Sequence, residues 1–387
     1  MIHQKSLDWA DAAPERSMTL PARYFYDPAV FAAERERIFY PAWHCVAHVS
    51  ELAEPGQFVT FDILDQSVIV SNDNGKLHAF YNACQHRGNR LVHARRGQTG
   101  PVFRCGYHSW CYGRDGALRN APRTERLPDF DKKQYGLKPV KLETMGSFVF
   151  INMDPDAAPL ADMTQGAAAK MAQYLPDLAS MKLISEVDVI VPANWKVIMD
   201  NSIEGYHFGL SGPVHKELAS LIDFKQYALE SHDKWWTYIG PPKGEVSSAY
   251  GVPLEGSIWQ TDWFFNIGIW PNTTFYCFPF ADICGTFLMI PLEPEKSLLR
   301  FGYYGPDRAT PDVTKACIKW MNEKLGPEDI ELNVTNQKGL RSFGYNQGRY
   351  LIDAERSNES EHMVHHFHRM VHQAVKPALM QSTAGAL

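Results

Sequence analysis

Two short segments, Cys84-Gln85-His86 and Cys105-Gly106-Tyr107-His108, constrain the fold of this chain more than any other part of it. Eighteen residues separate His86 from Cys105, so two thiols and two imidazoles arrive as two tight pairs. That is the donor set of a metal centre held between two loops. One zinc ion would be satisfied by all four groups in a tetrahedral array. A [2Fe–2S] centre would also be satisfied, with both thiolates on one iron and both imidazoles on the other. The surrounding sequence reads as a small all-β unit over residues 43–154. Residues 58–61, 67–70, 77–81, 102–104 and 147–152 are runs of Val, Ile, Phe and Tyr bounded by Gly, Asn and Asp, and SNDNGK (71–76) predicts a tight hairpin turn.

Length and charge bound the rest. With 387 residues, 45% hydrophobic and 21% charged, the chain is long enough for two cores, because single cores stop growing at about 250–300 residues. No apolar run approaches the roughly 20 residues of a membrane helix, and the amino terminus has no apolar signal core, so a cytoplasmic protein with no membrane contact is expected. A net charge of −6 without a basic stripe argues against nucleic acid and anionic membrane surfaces as partners. Seven scattered cysteines do not read as a disulfide framework; some are ligands and others, such as Cys111, are buried thiols.

Before the β unit, Phe31, Glu34, Ile38 and Phe39 recur at helical spacing and predict a short helix that docks the amino-terminal arm. After Pro155 an Ala-rich segment predicts a helix, residues 183–191 a linker strand, and WWTYIG, DWFFNIGIW, TTFYCFPF, GTFLMIPL and SLLRFGYY antiparallel strands. Between them lies residues 194–215, NWKVIMDNSIEGYHFGLSGPVH. Asp200, Glu204, His207 and His215 give this stretch a density of ligand-type groups that fits a metal site on a helix and its following loop; a charged surface helix with incidental histidines is the other reading. The carboxy-terminal His365, His368 and His372 share one helical face without a carboxylate or cysteine, which argues against a third metal site.

The flanks narrow these readings. His86-Arg87-Gly88 after the first pair, and Ser109-Trp110 with GRDGAL after the second, closely resemble the cluster loops of Rieske proteins, without the extra cysteine of the disulfide-bearing respiratory ones. A Rieske domain, then Asn194-Trp195-Lys196, then D-N-x-x-E-x-Y-H with a later histidine, is similar to the oxygenase (α) subunits of Rieske non-haem iron oxygenases over nearly the whole chain. The resemblance implies an α+β protein: an all-β Rieske [2Fe–2S] domain plus a catalytic domain with a curved antiparallel sheet covered by helices. The expected divisions are an arm at 1–42, the Rieske domain at 43–155 and the mononuclear iron domain at 156–387.

It also implies roles. Cys84, His86, Cys105 and His108 would hold the cluster, and His207 and His215 the catalytic Fe(II), although the family spaces its histidines by four residues and here seven intervene. Glu204 matches the acid that links a neighbouring subunit's cluster histidine to the first iron histidine, and Asp200 becomes a supporting residue. The third ligand, from a helix ending like Gln337-Lys338-Gly339-Leu340, falls at Asp329, with Glu328 and Glu331 as rivals and a helix amino-terminal acid as the structural alternative. Electrons from NAD(P)H would reach the cluster through a separate ferredoxin or flavin reductase and cross a subunit boundary by His108, Glu204 and His207; the resemblance implies a homotrimer, because in the family a subunit's own cluster lies too far from its own iron. O₂ and a small organic molecule are the implied substrates.

The acid being Glu, the WPN motif (270–272) and QGR (347–349) resemble the quaternary-ammonium members of the family, and this resemblance implies monooxygenation, N-demethylation or C–N cleavage of a betaine-like quaternary amine. Hydroxylation of an aromatic ring or acid is the alternative within the family. An electron-transfer protein without a working second iron, or an iron-binding regulatory protein, are alternatives outside it. Trp235, Trp236, Trp259, Trp263, Phe265, Trp270, Tyr276 and Phe278 are candidates for the pocket lining, by stacking or cation–π contact.

Overall fold

In the computed structural model, which describes residues 13–175, 177–244, 246–254, 263–307 and 310–384, the chain divides into two units: residues 40–162, and residues 1–39 together with 163–387. The first is built from short antiparallel strands. β1 (Trp43–His48), β10 (Phe148–Asn152) and β9 (Lys141–Met145) form one sheet in that order. β4 (Lys76–Tyr81), β3 (Gln66–Asp73), β2 (Gln57–Ile63) and β5 (Arg96–Gln98) form a second, and β6 (Val102–Arg104), β7 (Cys111–Gly113) and β8 (Leu118–Asn120) a third.

The SNDNGK segment is the predicted hairpin. Asp73 pairs with Lys76, while Asn74 and Gly75 take positive φ of 53° and 93°, the two-residue turn that Asn-Gly favours because its twist matches the strands. The Asn72 side chain accepts the Gly75 N–H at 2.6 Å and locks it. Beneath the sheets, Phe58, Ile69, Phe80, Phe103, Trp110 and Tyr112 pack into one buried cluster that also contains Cys84 and Cys105. The loop that follows β4 and the loop joining β6 to β7 therefore carry their thiols inward.

In the second unit, β11 (Met181–Val191), β12 (Ala228–Ser231), β13 (Trp235–Gly240), β16 (Phe264–Ile269), β17 (Thr273–Cys277), β18 (Cys284–Glu293) and β19 (Lys296–Pro306) form one seven-stranded antiparallel sheet in the order β11-β19-β18-β17-β16-β13-β12, with β14 (Ser248–Ala249) and β15 (Val252–Pro253) as a separate pair. The segment expected as a linker strand is a full member: β11 pairs with β19 from Met181↔Pro306 to Val191↔Ser297. Its burial alternates, with Met181, Leu183, Val187, Val189 and Val191 on the covered face and Lys182, Ile184, Asp188 and Ile190 exposed.

The helices are α1 (Pro28–Glu34), α2 (Leu160–Met163), α3 (Ala167–Tyr174), α4 (Trp195–Ser202), α5 (Pro213–Ser220), α6 (Asp312–Trp320), α7 (Gly326–Leu340) and α8 (His362–Ala384). α4 starts where Asn194 accepts the Lys196 N–H at 2.9 Å, as an N-cap should. α6 and α7 are joined by a π-helical turn, Met321–Leu325, so the backbone stays helical into α7. No helix among the described residues is long and apolar enough to cross a membrane.

The amino-terminal arm is held by polar groups in the core. Glu34 and Lys196, both fully buried, pair at 2.5 Å, and Trp195 Nε1 donates to the other Glu34 oxygen at 3.0 Å. Burial pushes the Glu34 carboxyl up and the Lys196 ammonium down, so each charge persists because of the other. His365, His368 and His372 of α8 bond respectively to Ser17 Oγ (3.1 Å), Asp200 Oδ1 (2.8 Å) and the Tyr24 hydroxyl (2.8 Å). Glu34→Gln leaves the Lys196 charge without its partner and should destabilise this unit by about 3 kcal/mol, read as a lower urea midpoint for the unfolding transition that contains α4 and α8.

Candidate metal centres

In the first unit all four predicted cluster residues meet. Cys84 and Cys105 are 1% and 2% exposed, their thiols close enough to hydrogen-bond, whereas His86 and His108 are exposed. Their rings lie 4.6 Å apart at 76°, and His86 stacks on the buried Trp110 at 5.0 Å and 10°. Inner thiols and outer imidazoles are the arrangement a [2Fe–2S] centre with mixed ligands needs.

The loops also supply donors to sulfur. The Tyr112 hydroxyl lies 3.2 Å from Cys84 Sγ, Asn89 Nδ2 3.6 Å from Cys105 Sγ, and the Tyr107 and His108 amides point at the Cys105 sulfur. Desolvation raises the Cys84 thiol; at Cys105 desolvation is outweighed by these amides, and its pKa falls. Donors aimed at sulfur stabilise thiolate, the form that binds iron. Cys111 stands apart, donating to the Ser109 carbonyl at 3.3 Å.

In the second unit His207, His215 and Asp329 come together, their ligand atoms all within 4.8 Å of one another. His207 follows α4 by one turn. The seven residues before His215 are absorbed by a tight turn, in which the Leu210 and Ser211 amides donate to the His207 carbonyl at 3.1 and 2.8 Å, and by the first turn of α5. The imidazoles return to each other at 4.7 Å between centroids.

Each imidazole is oriented by a carboxylate. Nδ1 of His207 bonds to Glu204 Oε1, and Nδ1 of His215 to Glu328 Oε1 at 2.5 Å. The same carboxylates also accept the backbone N–H of their own histidine, at 3.2 and 3.1 Å. With both Nδ1 atoms committed, both Nε2 atoms face Asp329 Oδ1, at 3.8 Å for His207 and 3.0 Å for His215. Two neutral nitrogens and one carboxylate, with second carboxylates behind the imidazoles, are the donor chemistry of a mononuclear iron site with positions left open. Burial pushes the His215 imidazole down, but Asp329 and Glu328 more than offset it and its pKa rises, so the site favours positive charge.

The three acidic candidates on α7 separate cleanly. Glu328 is engaged with His215, Glu331 is exposed, and Asp329 faces both imidazoles. Because the π turn feeds α7 without a break and Leu325 already has helical φ and ψ, Asp329 has no free helix end to cap. Nothing local in the sequence signals Glu328, whose partner is 113 residues away. Its place depends on Gly212: a Cβ there would come within 2.3 Å of the Glu328 carboxylate.

Beside these residues lies a cavity of about 90 Å³ lined by Phe208, Tyr238, Phe264, Asn266, Tyr276 and Phe278, with Phe287, Phe301, Met321 and Leu325. Of the aromatics proposed from sequence, Tyr276 and Phe278 reach it. Trp235, Trp236, Trp263, Phe265 and Trp270 do not: Trp235 stacks on His232 at 3.7 Å, and Phe265 lies on the strand face opposite Phe264 and Asn266. Trp259 lies outside the described residues. Strand alternation within DWFFNIGIW was the signal that could have found Phe264 and Asn266.

Comparison with known proteins accords with both centres. Residues 42–131 match the Rieske [2Fe-2S] domain, and residues 169–376 match the ring hydroxylating alpha subunit catalytic domain. The oxygenase subunit of carnitine monooxygenase from Escherichia coli K12 is 34% identical over 94% of this chain and 96% of its own length. The chloroplastic choline monooxygenase of Spinacia oleracea is 28% identical over 94% of this chain and 80% of its own. A solved quaternary ammonium Rieske monooxygenase, described with carnitine oxidation and inter-subunit electron transfer, superimposes with a TM-score of 0.87 at 32% identity over 95% of this chain and 98% of that one. The chain belongs to the family of Rieske ring-hydroxylating oxygenase α subunits, oxidoreductases that use a [2Fe–2S] cluster and a mononuclear iron.

Gly212→Ala should displace Glu328 and lower iron affinity about 10–100-fold, the usual effect of losing a ligand's supporting carboxylate; iron titration reads this, with the visible spectrum of the cluster unchanged. Cys105→Ser should do the converse, removing the cluster absorption while iron still binds at the second centre.

Proposed function

We propose that this chain is the terminal oxygenase for a small quaternary amine, oxidising a carbon attached to nitrogen so that a C–N bond breaks. The observation that carries this is the lining of the cavity beside His207, His215 and Asp329. Aromatic faces dominate it, and no Lys or Arg is among its described residues. A quaternary ammonium has no N–H to donate and is held by aromatic faces, worth about 0.5–2 kcal/mol per contact. The likeness to carnitine and choline monooxygenases supports the same substrate class.

In this reading Cys84, His86, Cys105 and His108 hold the cluster, and His207, His215 and Asp329 hold the iron. When bound, the iron supplies the site of O₂ activation and the cluster the electrons for it. The protein's own groups do the rest. Phe208, Tyr238, Phe264 and Phe278 enclose the ammonium and exclude water. Glu204 keeps the proton on Nδ1 of His207, which fixes Nε2 as the ligand. Its carboxylate also lines a second cavity of about 360 Å³ with Asp200, Asn201 and Tyr345, where a cluster histidine of a neighbouring subunit would reach it in a homotrimer.

The balance is that of a monooxygenase: one C–H carbon and O₂, with two electrons and two protons, give a hydroxylated carbon and water. That carbon, bearing both hydroxyl and ammonium, then releases a tertiary amine, an aldehyde and a proton. The electrons come from NAD(P)H through a separate ferredoxin or flavin reductase. The arm (1–42), the cluster segment (43–155) and the iron segment (156–387) act in these separate roles in a cytoplasmic enzyme.

A coupled NADH and O₂ assay with a surrogate reductase, run on choline, carnitine, betaines and benzoates, tests the reading. Aldehyde and tertiary amine should form from one or more quaternary amines; turnover confined to aromatic acids would overturn it. Glu204→Gln should lower turnover about 10–100-fold while chemical reduction of the cluster, followed by its visible spectrum, stays normal.

A further inference from the structure

The wall of the cavity beside His207, His215 and Asp329 is built mostly from side chains that hold their electrons. Five of the lining residues are phenylalanines, among them Phe208, Phe264 and Phe278, and a phenyl ring is the hardest aromatic side chain to oxidise. Two tyrosines, Tyr238 and Tyr276, give up an electron readily only when a base takes the phenolic proton, and neither has one. The Tyr238 hydroxyl donates to the Ser202 carbonyl at 2.5 Å. The Tyr276 hydroxyl meets that of Tyr303, whose own proton goes to Asn322 Oδ1 at 2.7 Å. The thioether of Met321 is the vulnerable member of this wall.

Trp320 stands directly behind the wall. It ends α6, next to the π-helical turn that carries Met321, and its buried ring packs against that of Phe278 at 6.3 Å and 70°. Indole loses an electron more easily than phenyl or a protonated phenol. Its Nε1 donates to Glu217 Oε2 at 2.9 Å, and no Lys or Arg among the described residues pairs with that carboxylate. A buried indole N–H needs an acceptor, and elsewhere on this chain backbone carbonyls serve: Trp43 donates to Ala158 and Trp235 to Gln165. A carboxylate with no cation on it does more, because a negative charge at hydrogen-bond distance stabilises positive charge on the ring. Trp195 also bonds to a carboxylate, Glu34, but Lys196 already neutralises that one. Glu217 lies on α5 two residues after His215, so the pair is tied to a helix that presents an iron ligand.

We propose that Trp320, with its ring charge stabilised by Glu217, is a protective electron donor that reduces the metal centre when oxidising equivalents are left there without a substrate carbon to receive them. The inference rests on His207, His215 and Asp329 holding the iron, and it is independent of which substrate fills the cavity. The step moves one electron and no atom. The indole becomes a cation radical beside Glu217, and the oxidised centre gains the electron. A thiol in solution restores the ring, giving up one electron and one proton and ending as half of a disulfide. Glu217 is half-buried and brings the pair to the surface where such a reductant is met.

The test treats the iron-loaded holoenzyme with hydrogen peroxide, which supplies oxidising equivalents without substrate, and freezes it; protein stripped of the mononuclear iron is the blank. Electron paramagnetic resonance should show an iron-dependent organic radical whose hyperfine pattern narrows when the protein carries ring-deuterated tryptophan. Trp320→Phe should lose this signal, and peptide mass spectrometry should then find severalfold more oxygen added to Met321 and Phe278 than in the wild type. Glu217→Gln keeps an acceptor for the indole N–H but removes the charge, so it should weaken the radical severalfold while iron content, cluster spectrum and melting temperature stay unchanged; it is the control for any packing loss in Trp320→Phe. A wild type without a tryptophan radical, a radical that survives Trp320→Phe, equal oxidation of Met321 in both proteins, or a signal unaltered in Glu217→Gln overturns the assignment. A chain that binds no iron at His207, His215 and Asp329 overturns the reading of that site together with it.

Discussion

The hydrogen bond between each imidazole's Nδ1 and a carboxylate is the interaction on which the second unit's arrangement depends. Glu204 binds His207 and Glu328 binds His215, and each acid also accepts its histidine's backbone N–H. A histidine held at two points cannot rotate or change tautomer, so its Nε2 is presented in one direction. Both directions converge on Asp329. The two acids come from different places, one from the turn after α4 and one from the start of α7, so the donor set exists only when these segments are packed.

That packing is secured from the other side of α4. The Glu34–Lys196 pair ties the amino-terminal arm to the start of α4, and His368 of α8 bonds to Asp200 near its end. Asp200, pushed up by burial and held down by His368, is therefore a structural anchor one turn before Glu204. The histidines of α8 are spread over Ser17, Asp200 and Tyr24, which accounts for their spacing on one helical face. The sheet forms the remaining wall, with the even register of β13, β16 and β17 carrying one side-chain row to the cavity.

Much of this was legible in the residues. The Cys/His pairs, the Asn-Gly hairpin and the strand runs are local features: a turn's dihedral preference or a strand's period lies within a few neighbouring residues, and the structure keeps nearly all of them. The partner of the linker strand and the pocket aromatics were less legible. β11 alternates as a strand, but the strand it pairs with lies more than a hundred residues further on, and the aromatic strands are buried on both faces, so hydrophobicity could not say which face meets the cavity.

By itself the sequence determined the four-residue Cys/His set, the His207 and His215 pair, the family and the order of the elements, because these follow from residue identities at short spacing. Only the tertiary structure decided that Glu328 supports His215 while Asp329 faces both imidazoles, and that Gly212 is small so that this carboxylate can approach. Those contacts join residues 113 to 122 positions apart, and no periodicity or propensity spans such a distance. What selects them is the geometry of packed helices on a sheet in register.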